Sequence, residues 1–225
     1  MRPKIFLANL LSMIALSLIP LSLYAEEKKE TPQKIQLPKA ITKGKASLEE
    51  ILWQRQSIRS FTPEVPKWEI VGQLLWAAQG INRPDQNRRT VPSAGATYPL
   101  ELYVILPSGI YHYLPEEHAV VSILSGDQRE KFTKESLAPG NVYGSPCIFV
   151  IAAVFERTAI KYKEEAVRYV HLEAGHAAQN LLLQATALGL GAVPIGSVVS
   201  SEEQKIMGLQ PEEKPVYIVA AGYPK

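Results

Sequence analysis

The sequence predicts an α+β fold in which helices pack on a mainly antiparallel sheet. The strongest observation is the stretch 164–191, where apolar residues recur at three- and four-residue intervals, as in a long helix. The segments 110–115 and 118–124 have the pattern of a hairpin. Further strand patterns at 100–106, 147–155, 192–198 and 216–221 are mixed with helical segments, a mixture that is typical of α+β architecture.

The long helix is predicted to be central and covered on several sides. Its periodic apolar residues fall on one face, and Leu182, Leu183 and Leu190 widen that face beyond an ordinary amphipathic stripe. The periodic residues are Val167, Val170, Ala174, Ala177, Ala178, Leu181, Ala185 and Leu188. Glycines at 189 and 191 are expected to end the helix before a strand.

Polar side chains interrupt the apolar pattern of this helix. They are His171, His176, Gln179, Asn180 and Gln184. Burial of such groups is unfavourable unless they are paired, so each either has a structural partner or lines a site. A zinc site is rejected because His171 and His176 lie about 140° apart around a helix. No metal centre is predicted.

Residues 1–25 have the features of a Sec-type secretory signal peptide. Arg2 and Lys4 precede an apolar run that ends at the small residue Ala25. Leu23 is a poor residue for cleavage and the run is almost long enough to span a bilayer, so a retained membrane anchor is the alternative. Residues 26–46 are predicted to be a flexible linker, and residues 47–225 one domain. The expected location is therefore periplasmic or extracellular.

Charge and cysteine content argue against nucleic-acid binding and against an internal disulfide. Removal of residues 1–25 takes away two basic residues and no acidic ones, which leaves 22 of the 24 Lys and Arg against 22 Asp and Glu. A neutral mature protein has no electrostatic surface for nucleic acid. Cys147 is the only cysteine, so no internal disulfide forms, and its apolar surroundings predict a small core residue.

The first part of the domain contains a candidate phosphate site. Ser47 and Glu50 form the sequence pattern of a capping box for a first helix. Arg55, Ser57 and Arg59 then alternate, so an extended chain would direct all three side chains to one side. Guanidinium groups suit a phosphate because they offer paired donors. A solvated basic loop is the alternative.

A second helix is predicted over 66–79, and a tight turn follows a polar loop. Pro66 opens that helix and Gly80 ends it. The segment Pro92-Ser93-Ala94-Gly95-Ala96 precedes the strand 100–106. Small residues at such a turn allow a flat ligand to approach the backbone, although a plain junction between loop and strand explains the pattern nearly as well.

Several standard catalytic motifs are absent from the sequence. It contains no G-x-S-x-G elbow, no P-loop and no H-E-x-x-H pair. The glycines at 189, 191 and 196 have the spacing of a dinucleotide fingerprint, but they follow a helix and precede a strand. This order is the reverse of the one that a Rossmann fold requires.

Four ordered motifs resemble the flavin-dependent nitroreductase superfamily. They are RQSIRSF, PSAGATYPLELYV, the helix and strand RY-x-x-LEAGHAAQNLLL-x-A-x-x-LGLGAVPIG, and VAAGYP, and they extend over roughly residues 47–225. The similarity is to the SagB-type branch, which includes the thiazole and oxazole dehydrogenases that oxidise azoline rings in modified peptides. It implies a nitroreductase-like fold, a homodimer, and non-covalent FMN at the subunit interface.

This resemblance assigns a phosphate clamp at one end of the cofactor. Arg55, Ser57 and Arg59 match the positions that hold the FMN phosphate and ribityl end. Many relatives continue beyond the GYP turn and supply a further Lys or Arg. Here the expectation is that Lys225 substitutes for it or that the phosphate is held more weakly.

The resemblance also assigns contacts to the flavin ring. Pro92, Ser93 and Ala94 match the turn that lies against the isoalloxazine, commonly donated by the other subunit. Ile195 and Gly196 match the segment whose backbone N–H faces flavin N5, where hydride arrives and leaves. In such a site the flavin supplies the redox chemistry, and the protein supplies an anion clamp, a flat slot and amide dipoles.

A Lys-Tyr pair before the central helix is a further point of resemblance to the azoline dehydrogenases. By that resemblance Lys161 and Tyr162 would be catalytic, with a buried Lys of lowered pKa removing a ring proton. A solvated helix start is the alternative, because the neighbouring residues are charged.

The expected function is an exported FMN-dependent oxidoreductase that acts on a small-molecule or peptide substrate. Soluble NAD(P)H is not expected outside the cytoplasm, so an oxidase, a dehydrogenase or an enzyme supplied by a redox partner protein fits better than an NAD(P)H-driven one. A non-catalytic flavin-binding or interaction module with the same fold is the alternative.

Overall fold

Residues 33–135, 144–198 and 200–225 are described by the computed structural model of this protein. The predicted signal peptide lies outside the described residues, as does the first part of the predicted linker. Within the described ranges, none of the helices combines the length and the apolar character needed to cross a bilayer.

A seven-stranded sheet forms the centre of the domain. Its strand order is β1-β6-β5-β4-β7-β9-β8, and every neighbouring pair is antiparallel. The strands are β1 Lys34–Gln36, β4 Leu100–Leu106, β5 Gly109–Leu114, β6 Ala119–Ser125, β7 Cys147–Val154, β8 Gly191–Ile195 and β9 Glu213–Gly222. A separate hairpin pairs β2 Ile81–Arg83 with β3 Arg88–Arg89. The predicted antiparallel sheet is confirmed.

Both faces of the sheet are covered, as β7 shows. All eight of its residues are buried. Cys147, Phe149 and Ile151 belong to one apolar cluster, and the alternate residues Ile148 and Val150 belong to another. Because successive side chains of a strand point to opposite faces, two cores lie on the two sides of one sheet. Burial also raises the pKa of the Cys147 thiol, as expected of a core residue.

Six α-helices lie among the described residues. They are α1 Leu48–Gln54, α2 Trp68–Gln79, α3 Arg129–Glu135, α4 Phe155–Tyr162, α5 Ala166–Ala187 and α6 Ser200–Met207. The capping box at α1 is confirmed, since Ser47 Oγ accepts from Glu50 N and the Glu50 carboxylate accepts from Ser47 N. Helices α2 and α5 contribute to the first core, and α3 and α6 pack on the opposite face.

Helix α5 is the predicted central helix, but one of its faces is open in the single chain. Val170, Ala174 and Leu181 are buried as expected, whereas Val167 and Leu172 are exposed. Two of the interrupting polar groups have structural partners. Asn180 donates to Ala77 O at 3.1 Å, and Gln73 donates to Gln184 Oε1 at 3.2 Å. The helix is thus covered on several sides by α1, α2, α4 and the sheet, as expected, and only the face with Val167 and Leu172 is open in the single chain.

The expectation of a flexible linker over 26–46 fails for residues 34–41. Strand β1 pairs with β6 at the edge of the sheet, and Leu37 is buried against Gly72 of α2. The Gln73 side chain accepts from Ile41 N at 2.7 Å and donates to Ile41 O at 3.0 Å. Short β-pairing and one buried leucine hold this charged segment to the domain, so its composition alone misled the prediction.

Candidate functional site

The stretch that contains Arg55 and Arg59 crosses the ends of the last two strands. Helix α1 ends at Gln54, and the extended chain after it forms a parallel bridge between Ser57 and Ala192 of β8. Ile58 N donates to Ala192 O at 3.0 Å. This N-terminal stretch is thus fixed to the strand that the resemblance assigns to the flavin.

Residues 223–225 pair with the same stretch. Thr62 N donates to Tyr223 O at 2.8 Å, and Lys225 N donates to Ser60 O at 3.2 Å. Phe61 forms an antiparallel bridge with Pro224. The structure therefore brings the backbone of Lys225 next to the segment that contains Ser57 and Arg59, as a shared anion site requires.

The cationic side chains of this region are unpaired. Arg59 and Lys225 are exposed and Arg55 is half-buried, and none of the three forms an ion pair with a carboxylate in the described part of the chain. Cations on one stretch of backbone without acidic partners suit an anion, and guanidinium groups bind phosphate in fork geometry.

Gly191 allows the close approach of the arginine-bearing stretch. A Cβ atom added to it would lie 2.6 Å from both Cβ and Cγ2 of Ile58, closer than packed atoms come. Any larger residue would push Ile58, and with it Arg59, away from β8. The glycine that the sequence suggested as a helix end therefore shapes the candidate site.

Ile195 and Gly196 lie at the other end of β8. Ile195 is the last residue of the strand and is buried, whereas Gly196 is exposed. Among the described residues, a Cβ atom added to Gly196 would contact only Tyr217, at 3.9 Å. Ser57 pairs with Ala192, three residues before Ile195, so the two ends of the proposed cofactor site are about 10 Å apart along the strand.

The predicted turn at 92–96 is present and is strained. Gly95, Ala96 and Tyr98 all have positive φ, at 59°, 56° and 44°. Ser93 Oγ accepts from Tyr98 N at 2.9 Å and closes the turn. Positive φ is unfavourable for residues other than glycine by about 1–2 kcal/mol, and such strain clusters at functional sites.

Lys161 and Tyr162 lie against this turn. A Cβ atom added to Gly95 would come within 2.7 Å of Lys161 Nζ and 2.8 Å of Tyr162 OH. The Tyr162 ring also packs edge-on against Tyr169 of α5, with centroids 5.0 Å apart. The pair thus meets the turn that the resemblance places against the flavin.

The surroundings of the Lys-Tyr pair differ from expectation in two ways. The pair ends helix α4 and does not begin a helix, because a short 3-10 turn separates α4 from α5. Lys161 is exposed in the single chain, so the expected buried lysine is not found there. The Tyr162 side chain is half-buried.

The buried carboxyl group of Glu173 lies beneath the turn. Glu173 on α5 is only 3% exposed, and burial raises the pKa of its carboxyl to about 7. The neighbouring side chains of Ser93 and Gln79 and the charge of Arg89 lower that pKa only in part. The Glu173 oxygen Oε1 has no hydrogen-bond partner within the described ranges.

Glu173 was not predicted from the sequence, although its position in the apolar stripe of the central helix could have marked it as a site residue. Glu173 stands three residues after Val170 and four before Ala177, within the apolar stripe of the central helix. An acidic residue at such a position is costly to bury and therefore marks a partner or a site. A cavity of about 250 Å³ separates the turn from Glu173, Tyr169 and His176.

The two groups of candidate residues lie at opposite ends of the sheet in one chain. The turn precedes Leu100, which pairs with Ala153 near the last residue of β7. The arginine-bearing stretch crosses Gly191 and Gly222, beside Cys147, the first residue of β7. Because β7 has eight residues, these ends are about 24 Å apart.

Comparisons with known proteins agree with this architecture. The model of the nitroreductase family matches residues 52–223. The protein MJ1384 of Methanocaldococcus jannaschii, named as a nitroreductase, is 36% identical over 181 residues, which cover 78% of this chain and 90% of that protein. The microcin B17-processing protein McbC of Escherichia coli is 29% identical over 131 residues. That match covers 53% of this chain and 48% of McbC.

Solved structures have the same fold. A nitroreductase from Ralstonia eutropha has a TM-score of 0.77 and 28% identity, and the match covers 85% of this chain and 90% of that chain. A structure from Desulfovibrio desulfuricans, solved in complex with FMN, has a TM-score of 0.59 and 24% identity, with coverage of 80% and 87%. The resemblance found in the sequence is confirmed, and this chain belongs to the nitroreductase family.

Proposed function

We propose that this protein is an exported FMN-dependent oxidoreductase of the SagB-type class. It transfers hydride between flavin N5 and a small-molecule or peptide substrate. The observation that carries the proposal is the bridge between Ser57 and Ala192, which joins the arginine-bearing stretch to strand β8. The FMN bound in the Desulfovibrio structure and the processing role named for McbC support the cofactor and the class.

The residues present fit FMN. Arg55, Arg59 and Lys225 are cations without acidic partners in the described part of the chain and would hold the phosphate. The open space beside Gly196 would admit the edge of a flat ring. When bound, the flavin would accept or supply the hydride, and the protein would contribute the anion clamp and backbone amide dipoles.

Lys161 and Tyr162 are the proposed acid-base pair. Both side chains reach the turn at Gly95, so a substrate lying on that turn would be within their reach. Loss of hydride from a ring carbon of an azoline leaves a proton to be removed from its neighbour. The Lys161 amine is proposed to accept this proton, with the Tyr162 hydroxyl orienting the ring.

A homodimer is proposed because the two halves of the site lie far apart within one chain. The turn and the arginine-bearing stretch lie about 24 Å apart along β7, too far for one FMN molecule to place its phosphate in the clamp and its ring against the turn of the same chain. Leu172 is exposed on the open face of α5, and no atom of the described residues lies within 4 Å of a Cβ added to Gly175. This face offers a close-packing surface for a second copy. A second copy would supply its turn to this chain's clamp.

In this proposal, the location of the protein determines which electron donor or acceptor the flavin would use. If residues 1–25 export the protein to the periplasm or the cell surface, soluble NAD(P)H is absent. A redox partner protein would then reduce or reoxidise the flavin, and dioxygen would serve only to reoxidise it. Rapid flavin reduction by NAD(P)H in the purified protein would count against this part of the proposal.

The absorbance spectrum of the purified protein is the first test. A yellow protein with stoichiometric FMN that bleaches with dithionite supports the proposal, whereas a protein that does not take up added FMN favours a non-catalytic module. Arg59→Ala should weaken FMN binding about 10- to 100-fold, as expected for loss of a charge-assisted hydrogen bond. Lys205→Ala, at an exposed position on α6, is the control and should bind normally.

The catalytic pair can be tested separately. A synthetic thiazoline peptide should bleach the flavin of the intact protein without oxygen, and Lys161→Ala should retain FMN but stop the bleaching. Bleaching at the normal rate in Lys161→Ala would remove Lys161 from the proposed mechanism.

A further inference from the structure

A cavity of about 400 Å³ opens beside the turn and is walled by arginines. It lies between the β2–β3 hairpin and Ser93, and it is also bordered by Tyr98. Its cationic residues are Arg83, Arg88 and Arg89, and none of the residues lining it is acidic. The proposed function uses none of these three arginines.

The hairpin that contains the arginines is held to α2 by hydrogen bonds. Trp76 Nε1 donates to Ile81 O at 3.2 Å, and Thr90 N donates to Gly80 O at 2.9 Å. The Thr90 hydroxyl donates to Trp76 O at 3.2 Å. Asn87 closes the loop in the left-handed conformation, with φ 47°. The guanidinium groups therefore extend from a defined backbone.

The Arg89 side chain already has partners within the protein. Its guanidinium donates to Gln79 Oε1 at 3.1 Å, pairs with Glu116 at 3.0 Å and lies over the Tyr98 ring at 4.7 Å. The side chain is only 11% exposed. Arg89 thus builds the wall of the cavity and joins the hairpin to the strained turn.

Arg83 and Arg88 have no such partners. They are directly opposite each other on the two strands of the hairpin. Neither forms an ion pair with a carboxylate among the described residues, and both are exposed at the rim of the cavity. Like charges at opposing positions destabilise an antiparallel pair. An anion between the two forks would remove that repulsion.

We propose that Arg83 and Arg88 bind a carboxylate group of the substrate. Guanidinium forks match the planar carboxylate in bidentate geometry. The cavity reaches Ser93, so a substrate anchored at the hairpin would extend over the turn towards Lys161 and Tyr162. This inference rests on the proposed function for what happens at the turn, and it adds the chemical class of the substrate.

The first experiment uses FMN-free protein and measures thermal unfolding with sodium benzoate or benzamide at matched ionic strength. Benzoate should raise the unfolding temperature and benzamide should not. Arg83→Gln and Arg88→Gln should each abolish the effect, and Lys205→Gln, which removes one charge from α6, should preserve it. Equal stabilisation by benzoate and benzamide, or an undiminished benzoate effect in both arginine variants, would overturn the proposal.

The second experiment uses FMN-loaded protein and follows the flavin absorbance during titration. The intact protein should bind 4-nitrobenzoate about tenfold more tightly than 4-nitrobenzamide. Arg88→Gln should lose this preference while its affinity for the amide stays within about twofold, and Arg88→Lys should keep part of it. Tighter binding of phenyl phosphate than of benzoate would overturn the assignment of a carboxylate.

The two proposals fail in different ways. A protein that takes up no FMN but is stabilised by benzoate through Arg83 and Arg88 would refute the proposed function and leave the anion site standing. A protein that binds FMN yet shows no preference for the carboxylate over the amide would refute the anion site alone.

Discussion

Glu173→Gln should change how the stability of the FMN-free protein depends on pH. Glu173 is 3% exposed, and its carboxyl has a pKa of about 7 in the folded chain against 4.5 for the free group. A carboxyl whose pKa is raised by folding is most stabilising when protonated, so stability falls as the pH rises from 4.5 to 7 and then levels off. Between pH 5 and pH 8 the loss is about 2.5 kcal/mol.

Glutamine stays neutral across this range, so the variant should lack that loss. We expect urea unfolding at pH 5 and pH 8 to show that the intact protein loses about 2.5 kcal/mol more than Glu173→Gln. Other titrating groups are common to both proteins and cancel in the difference. Glu212→Gln, at an exposed position, should follow the intact protein. Equal losses in the intact protein and Glu173→Gln would show that the carboxyl is not desolvated, and the reasoning would be wrong.

Three further predictions test the fold and the proposed site. Leu37→Ala should lower the free energy of unfolding by about 2–5 kcal/mol, because Leu37 is 4% exposed. Ile41→Ala, at a position that is 60% exposed, should lower it by less than about 0.5 kcal/mol. A similarly small effect of both substitutions would show that residues 34–41 are not docked on the domain. Gly191→Ala should displace Ile58 and weaken FMN binding at least tenfold, and unaltered affinity would contradict the close approach. Leu172→Glu should yield monomers in light scattering, and persistence of the same oligomer would remove the open face of α5 from the interface.

Local patterns were the part of the fold that the sequence predicted well. The capping box at Ser47 and Glu50 and the apolar repeat of the central helix depend on neighbours within four residues, so the chain itself contains the information. Strand β1 was missed because three residues of a charged segment give no periodic signal. Its stability comes from β6 and from Gly72, which lie far away in the sequence.

The site was predicted through its motifs but not through its geometry. Arg59 and Gly95 were recognisable by resemblance, yet their placement at opposite ends of the sheet depends on strand order, which no local pattern encodes. Glu173 was overlooked because more conspicuous polar residues surround it. The opposition of Arg83 and Arg88 depends on the register of a short hairpin with a bulge, which composition does not reveal.

Strand β1 also determines where the preceding residues join the domain. It occupies one edge of the sheet, and β8, beside the arginine-bearing stretch, occupies the other, six strand spacings or about 29 Å away. Any segment that precedes β1 therefore joins the domain at the edge of the sheet remote from the proposed cofactor clamp.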